Sequence, residues 1–290
     1  MTSQATTCDS PLEAEYIPES ELISVIVPTL NEELRLPRVI TRVREIAAIE
    51  GPAQIIVADG GSRDRTASLA RLADKFIHAP TGKAHQLNRG AEAADGSILF
   101  FLHATISLPA GALRAIRRAV RDGYVGGGFD NRYVCHQRKI MRLRRLLTLG
   151  LAGSVSDNGL TLYGDNGIFV TRETFRKLGG FADLAIMEDY EFSRRMKRSY
   201  RTIRIRQPRL AVSPRRHMRA GLLKTRLQWI AVYALYKIGL PGSLIARLYP
   251  DPARVTRSGP AEGKLSPVDT GKVGATETTA RRTAQGFVSH

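Results

Sequence analysis

Polar side chains follow an apolar run near the start of the sequence, in a position where they can do chemistry. Pro28 ends the run LISVIV and is followed by Thr29, Asn31 and Glu32. Because proline has no backbone N–H, it interrupts a strand's hydrogen bonds, and we expect the chain to turn there. The side chains then stand at a strand end, where they can bind a ligand or cap the next helix.

A second stretch, VADGGSRDRT, has the same arrangement. Asp59 follows an apolar run, and Gly60 and Gly61 allow a ligand to approach the backbone closely. Asp64 can cap the next helix, whose N-terminus favours an anion. The stretch lacks the G-x-G-x-x-G fingerprint, which disfavours a nicotinamide cofactor. A tight turn followed by a helix cap is the alternative interpretation.

Two further stretches carry candidate reactive groups. The apolar run 98–102 leads into His103-Ala104-Thr105, which is typical of a buried strand that delivers polar groups to a sheet edge. The alternative is that His103 and Thr105 only cap a turn. Glu188 and Asp189 open a predicted helix over 187–198. A positioned carboxylate can act as a general base, although acidic residues also suit the first turn of any helix.

The composition limits the classes of partner. The 290-residue chain has a formal net charge of +17, with thirteen Lys and Arg and no acidic residue in 192–226. Such a charge suits nucleotides, pyrophosphates, an anionic membrane or nucleic acid. Nucleic acid is disfavoured because no recognition module, stacking platform or zinc ligand set is present. Two cysteines, no apolar run long enough to span a membrane and no signal peptide predict a cytoplasmic protein.

The hydrophobic pattern predicts one α/β domain over 22–250, with a loose leader over 1–21 and a disordered tail over 251–290. Strands are predicted at 22–28, 53–61, 76–80 and 97–104. Helices are predicted between and after them, and we expect Leu34 to lie in phase on the apolar face of the first. This alternation predicts a parallel sheet covered on both faces. The predicted helices lie at 29–49, 63–76, 83–94, 109–123, 138–153 and 187–198.

Taken together, PTLNEE (28–33) and DGGSRDRT (59–66) resemble the nucleotide-binding loops of family 2 glycosyltransferases, which have the GT-A fold. The resemblance continues through GKAHQLNRGAEAADGSILFFLHA (82–104) and YGDNGIFVTRETFRKLGGFADLAIMEDYEFSRRMKR (163–198), and it covers 22–250. Small bacterial members named for arsenosugar biosynthesis or for glycosylating diaponeurosporenoate look similar in these segments. The resemblance implies a single α/β domain with a mixed sheet, in which 22–110 form a Rossmann-like nucleotide-binding half and 111–250 an acceptor half.

The resemblance implies that the first half binds a nucleotide-sugar, which we expect to be a UDP-sugar. Asp59 would hydrogen-bond the base, Thr29, Glu32 and Asp64 would frame the base and ribose, and Lys83 would contact a phosphate. A solvated surface position is the alternative for Lys83. The implied nucleotide-binding set is completed by Pro28, Asn31, Gly60, Gly61 and Asn88.

Family members carry a carboxylate motif at the position of His103-Ala104-Thr105, and its last carboxylate binds Mg²⁺ or Mn²⁺ at the donor's phosphates. Thr105 replaces that carboxylate, so we expect weak or atypical metal dependence, with His103 as the remaining ligand. Arg215, Arg216 and His217 would neutralise the diphosphate instead. A solvated or membrane-facing basic loop is the alternative for these three.

The resemblance also implies that Asp189 is the base of an inverting hexose transfer, with Glu188 orienting it. Asp165 and Asn166 would bind the acceptor, a small molecule or a lipid or carotenoid-type compound, and Asp165 is also a substitute metal ligand. The alternative function is a degenerate protein that binds without catalysis, because the carboxylate is missing at Thr105. The basic stretches 138–153 and 221–240 suit peripheral contact with the anionic inner face of the cell membrane, or packing on the sheet.

Overall fold

The computed structural model of the chain describes residues 22–133, 162, 164–213 and 222–248. The predicted leader, the predicted helix 138–153 and the predicted tail lie outside the described residues. Within the described residues one eight-stranded mixed sheet carries helices on both faces, so the predicted α/β class is confirmed.

The strand order in the sheet is β3-β2-β1-β4-β7-β6-β8-β5. The strands are β1 (Ile23–Thr29), β2 (Ala53–Asp59), β3 (Lys75–His78), β4 (Ile98–Phe101), β5 (Ile106–Ser107), β6 (Gly126–Tyr133), β7 (Ile168–Thr171) and β8 (Thr202–Val212). The described helices are α1 (Leu36–Glu50), α2 (Thr66–Leu69), α3 (Lys83–Glu92), α4 (Ala112–Arg121), α5 (Arg172–Lys177), α6 (Glu188–Ser199), α7 (Leu222–Lys237) and α8 (Gly242–Leu248).

The first four strands run parallel, and their register brings their carboxyl ends to one edge of the sheet. Thr29, the last residue of β1, lies beside Asp59, the last residue of β2. Ile26 of β1 pairs with Phe101 at the end of β4. Loops that follow parallel strands therefore meet at this edge, which is where open α/β sheets bind their ligands.

Successive strand residues point to opposite faces and form two cores. Val25 and Phe100 pack with α1 and α4 on one face. Ile26 and Phe101 pack with α3 and with residues of α6 on the other. Both faces are covered, which explains why these strands are apolar at nearly every position.

The second half adds antiparallel pairs to the sheet. β7 runs antiparallel to both β4 and β6, β8 runs parallel to β6, and the short β5 pairs only with the end of β8. α7 packs on the outer side of α6 through a small hydrophobic cluster. In this cluster the ring of Tyr190 contacts the rings of Tyr233 and Tyr236. In the described part of the chain, no helix has both the length and the apolar character needed to cross a membrane.

Two predicted helices are wrong in extent. The helix predicted over 29–49 begins only at Leu36, because β1 continues through Pro28 to Thr29 and the loop over 30–35 follows it. Leu34 lies in that loop and is 61% exposed, so it is not on a buried helix face. The helix predicted over 63–76 is reduced to α2 and one 3₁₀ turn (Ala70–Leu72), because β3 begins at Lys75.

The carboxylate of Glu50, at the end of α1, fixes the start of α4. It accepts hydrogen bonds from the backbone N–H groups of Gly111, Leu113 and Arg114. Arg117 of α4 is buried and donates to the carbonyl oxygens of Glu50, over 2.8 Å, and Pro52, over 2.6 Å. Because the Pro52 carbonyl also accepts from Ile23 N over 3.4 Å, α4 is tied to the start of β1.

Candidate active site

The ends of β1 and β2 are joined by the buried side chains of Thr29 and Asp59, each 1% exposed. Thr29 Oγ1 donates to Asp59 Oδ1 over 3.1 Å, and Ser62 Oγ donates to the same oxygen over 2.5 Å. Asp59 Oδ2 accepts from the N–H groups of Gly61, at 3.1 Å, and Ser62, at 2.9 Å. These bonds occupy the roughly four acceptor positions of a carboxylate. Asp59 therefore shapes the turn through Gly60 and Gly61, and its contact with a nucleotide base stays a prediction.

The loop after β1 is also tied to the loop after β2 by backbone donors. Asn31 has a left-handed φ of 55°, and its N–H donates to Ser62 Oγ over 2.8 Å. The N–H of the buried Glu32 donates to Thr66 Oγ1 over 2.8 Å. Asp64 Oδ1 accepts from Thr66 N at 2.9 Å and from its hydroxyl at 2.5 Å. The two loops thus form one rigid unit, and the predicted ligand contacts of Asn31, Glu32 and Asp64 stay predictions.

Gln86 of α3 holds both strand ends, and the sequence carries only a weak signal for this role. Its Nε2 donates to the carbonyl oxygens of Thr29, over 2.6 Å, and Ala58, over 3.0 Å. The side chain is buried against Gly60, where an added Cβ would lie 3.0 Å from it. The sequence pattern offers one hint of this role: Gln86 is a polar residue on the buried face of a predicted helix, one turn before Gly90.

Two predicted nucleotide-binding residues lie on α3. Lys83 is the first residue of the helix and is exposed. Both polar atoms of the Asn88 side chain bond to the backbone of Phe181. Nδ2 donates to Phe181 O over 2.8 Å, and Oδ1 accepts from Phe181 N over 2.9 Å. Asn88 therefore joins α3 to the Gly-Gly-Phe loop, and nucleotide contacts of Lys83 and Asn88 stay predictions.

β4 carries His103 and Thr105 to the same edge of the sheet. The His103 ring packs on Gly164, where an added Cβ would lie 2.6 Å from Nε2 of His103 and 3.1 Å from Oδ2 of Asp189. The N–H of Gly164 donates to that same oxygen of Asp189. The structure thus brings the imidazole and the predicted base against the same glycine. Burial, together with the positive charge of Lys83, lowers the pKa of His103 to about 3.

Asp189 lies in the first turn of α6 and is held by its backbone surroundings. Its Oδ1 accepts from the N–H of Tyr190 over 2.7 Å, and Oδ2 accepts from Gly164. Met187, immediately before the helix, has a left-handed φ of 71°. Tyr190 is fully buried under α7, whereas Asp189 is partly exposed and Glu188 is buried. Asp189 is therefore a fixed carboxylate with access to the site.

The predicted acceptor residues lie in the 3₁₀ turn Gly164–Asn166, beside Asp189. Asn166 is buried, and its Nδ2 donates to Phe129 O over 2.8 Å, so it anchors the turn on β6. Asp165 is partly exposed on the same turn. Acceptor contacts of Asp165 and Asn166 stay predictions.

The described donors do not fit a divalent metal ion of the kind that the family resemblance implied. Mg²⁺ and Mn²⁺ favour several carboxylate or carbonyl oxygens. Thr105 offers only a neutral hydroxyl, and no group of three or more His, Cys, Asp or Glu side chains in the described residues is arranged to hold a metal ion. Arg215, Arg216 and His217 lie outside the described residues.

Comparison with known proteins decides the family. The family described as "Glycosyl transferase family 2" matches residues 24–179, more than half of the chain. The chain belongs to this family. The match includes both loops at the ends of β1 and β2, the end of β4 and the turn that carries Gly164.

Curated relatives in the family share only part of the sequence. The chain is 29% identical over 124 residues to the undecaprenyl-phosphate 4-deoxy-4-formamido-L-arabinose transferase of Pseudomonas paraeruginosa, covering 39% of this chain and 37% of the relative. It is 26% identical over 154 residues to the protein of that name from Proteus mirabilis, covering 48% and 47%. The chain thus spans less than half the length of these relatives.

Solved structures confirm the GT-A fold. Glucosyl-3-phosphoglycerate synthase of Mycobacterium tuberculosis, in complex with Mn²⁺, UDP-glucose and phosphoglyceric acid, matches 82% of this chain and 90% of its own, with a TM-score of 0.53 and 18% identity. The Pyrobaculum calidifontis mannosyltransferase in complex with GDP-Man and Mn²⁺ matches 81% and 72%, with a TM-score of 0.53 and 22% identity.

The low pKa of His103 predicts a pH-dependent contribution to stability. The pKa is about 3 in the folded chain and 6.5 ordinarily, so below pH 6.5 the unfolded chain binds a proton that the folded chain does not. The contribution of His103 to the free energy of unfolding is complete above pH 6.5 and falls toward pH 3, by at most about 1.4 kcal/mol per pH unit. Urea unfolding of the wild type and of His103→Asn at several pH values measures it. Identical pH dependence of the two proteins would contradict the prediction.

Proposed function

We propose that the chain is an inverting glycosyltransferase that moves a hexose from a UDP-sugar to a hydroxyl group of a lipid or other small acceptor. The observation that carries the proposal is the carboxylate of Asp189, fixed by the N–H groups of Gly164 and Tyr190 beside the sheet edge where β1, β2 and β4 end. Membership of the family supports the reaction class, and the UDP-glucose complex of the structural neighbour supports the donor class.

The proposed reaction is a single displacement. The acceptor oxygen attacks the anomeric carbon from the side opposite the nucleotide, and Asp189 takes the hydroxyl proton. The bond between the anomeric carbon and the diphosphate oxygen breaks, and the nucleoside diphosphate leaves with the electron pair. One positioned base suffices for such a step. Glu188, buried next to Asp189, would orient it.

The donor would lie across the paired loops. The turn shaped by Asp59 exposes the backbone at Gly61, and Thr81 Oγ1 fixes this turn from the other side by donating to Gly60 O over 2.7 Å. The N-terminus of α3, with Lys83 as its first residue, faces the same edge and offers positive charge to phosphate groups.

Asp189→Asn tests the base. The amide keeps the size of the side chain but cannot take a proton, so transfer should fall about 10²- to 10⁴-fold, while the affinity for the UDP-sugar stays close to wild type. A donor screen with UDP-, GDP- and dTDP-sugars would first identify the substrate, and then product formation and calorimetry measure the two quantities. Glu173→Gln, on the exposed face of α5, is the matched control.

The missing carboxylate at Thr105 favours a second candidate, a degenerate family member that binds the donor without transferring it. Donor binding without any turnover in the wild type, together with an unchanged cellular role for Asp189→Asn, would establish that function. Loss of the cellular role in Asp189→Asn, with folding intact, would exclude it.

We also propose that transfer depends weakly on divalent metal. Thr105 cannot supply the anionic oxygen ligand that Mg²⁺ or Mn²⁺ prefers, and the neutral His103 offers one nitrogen. Lys83, Arg215, Arg216 and His217 would instead offset the charge that develops on the leaving diphosphate.

Thr105→Asp tests the metal proposal, with Thr105→Asn as its neutral control. Wild-type transfer should change little when EDTA replaces Mn²⁺, because the wild type has no carboxylate at position 105 to bind the ion. The Asp variant should gain Mn²⁺-dependent donor affinity that the Asn variant lacks. A wild-type enzyme inactivated by EDTA and restored by Mn²⁺, or an Asp variant with an unaltered Mn²⁺ response, would contradict weak dependence.

A lipid acceptor is favoured by the outer face of α7. Its inner face packs on Tyr190, next to the proposed base, whereas Leu227, Ile230 and Ile238 are 58%, 39% and 70% exposed. These residues lie at helical spacing along one helix and its end, and the exposed Lys224 is suited to anionic headgroups. The relatives named as undecaprenyl-phosphate transferases support this acceptor class. We therefore propose a cytoplasmic enzyme, peripheral on the inner face of the membrane.

A triple substitution of Leu227, Ile230 and Ile238 by Ser tests this contact. Co-sedimentation with vesicles that contain phosphatidylglycerol should fall several-fold, because the apolar surface available to the bilayer is lost. A second triple Ser variant supplies the matched control, because it removes exposed apolar side chains elsewhere: Leu34, Ile49 and Leu72. Equal losses in both variants, or no vesicle binding by the wild type, would reject the proposal.

A further inference from the structure

A basic groove lies between α4 and β8, on a part of the molecule that the proposed reaction does not use. Its volume is about 580 Å³. It is lined by five arginines, namely Arg114, Arg118 and Arg121 from α4 and Arg204 and Arg206 from β8, and by one acidic residue, Asp122. Among the described residues, the edge of β8 beside the groove is paired only at Ala211 and Val212, with β5.

The positive charge of the groove is only partly offset. Arg204 Nε lies 2.6 Å from Asp130 Oδ1, and Arg118 Nε lies 3.9 Å from Asp122 Oδ2. Arg114 and Arg206 are exposed, and neither has an ion-pair partner among the described residues. Guanidinium groups gathered without enough carboxylates repel one another, and an anion that enters between them relieves the repulsion.

The location of the groove disfavours a membrane as its occupant. α4 packs with α1 on one face of the sheet, whereas α6 packs on the other face, with α7 outside it. A bilayer that contacts the outer face of α7 does not reach α4 on the opposite side. The occupant of the groove should therefore come from elsewhere.

The chain itself supplies an anionic segment close to the groove. Residues 1–21 contain no Lys or Arg and five acidic residues: Asp9, Glu13, Glu15, Glu19 and Glu21. They precede Ile23, whose N–H shares the Pro52 carbonyl with the guanidinium of Arg117 of α4. The segment thus joins the described chain within a few ångströms of α4. An extended 21-residue segment reaches about 70 Å, and the ten residues of α4 span about 15 Å.

We propose that the acidic segment 1–21 binds in the α4–β8 groove of its own chain. Arg114 and Arg206, which have no ion-pair partner among the described residues, can take carboxylates of the segment. The covalent link raises the local concentration of these carboxylates, on the order of millimolar for a short tether. The contact is electrostatic, so salt weakens it. Bound there, the segment covers the groove and competes with any other polyanion. This inference does not depend on the proposed transferase activity.

A disulfide trap in the full-length chain tests the contact. The natural Cys8 lies within the acidic segment, and Ala115 lines the groove. In a Cys135→Ser background, Ala115→Cys should form a disulfide with Cys8 about tenfold faster than the control Ser68→Cys, at an exposed position of α2, because tethering and charge hold the segment at the groove. Mass spectrometry of the digested protein measures both yields.

Two further conditions separate charge-driven binding from chance collision. Molar NaCl, or amide replacement of all five carboxylates (Asp9→Asn with Glu13, Glu15, Glu19 and Glu21→Gln), should reduce the disulfide yield of the Ala115→Cys variant to that of the Ser68→Cys control. The amide variant should also bind inorganic polyphosphate several-fold more tightly than the wild type. Equal trapping at both positions overturns the proposal. Equal polyphosphate affinity of the amide variant and the wild type also overturns the proposal, since it means that the groove is open to external anions.

Discussion

The carboxylate of Asp59 is the group on which the rest of the candidate site depends. It is buried at the end of β2, and it stays there only because the hydroxyl groups of Thr29 and Ser62 and two backbone N–H groups satisfy it. An ionised carboxylate without such donors would be costly to bury. The same bonds define the turn through Gly60 and Gly61 and join it to β1. The loops that face the ligand edge are therefore a consequence of one satisfied charge.

Much of the fold could be predicted from the sequence because its signals are local. The run Ile98 to Leu102 predicts a buried strand, and the parallel sheet follows from repeated alternation of such runs with helices. The starts of α1 and α2 could not be predicted as well. Residues 30–35 form a loop instead of the first turns of α1, because the N–H groups of Asn31 and Glu32 donate to Ser62 and Thr66, more than thirty positions away. No helix-period pattern in the sequence predicts those partners.

In the candidate site, too, some features could be predicted from local sequence and others could not. The position of Asp189 at the start of a helix follows from local sequence, and so does the delivery of His103 to a sheet edge. The contacts of Gln86 with two strand ends, and of Asn88 with Phe181, join residues 28 to 93 positions apart. Nothing in the spacing of residues near Gln86 or Asn88 encodes these partners. Their role is to position backbone, which only the assembled sheet reveals.

The close packing of Gly164 has a consequence for how this site can change during evolution. The ring of His103 and the carboxylate of Asp189 both pack against this glycine, with no room for one extra carbon atom. A larger residue at 164 would be compatible with the present backbone only if residue 103 became smaller. Residues 103 and 164, far apart in the chain, would therefore have to be substituted together. Glycosyl transferase family 2 members with a side chain at the equivalent of 164 must fill the end of β4 differently.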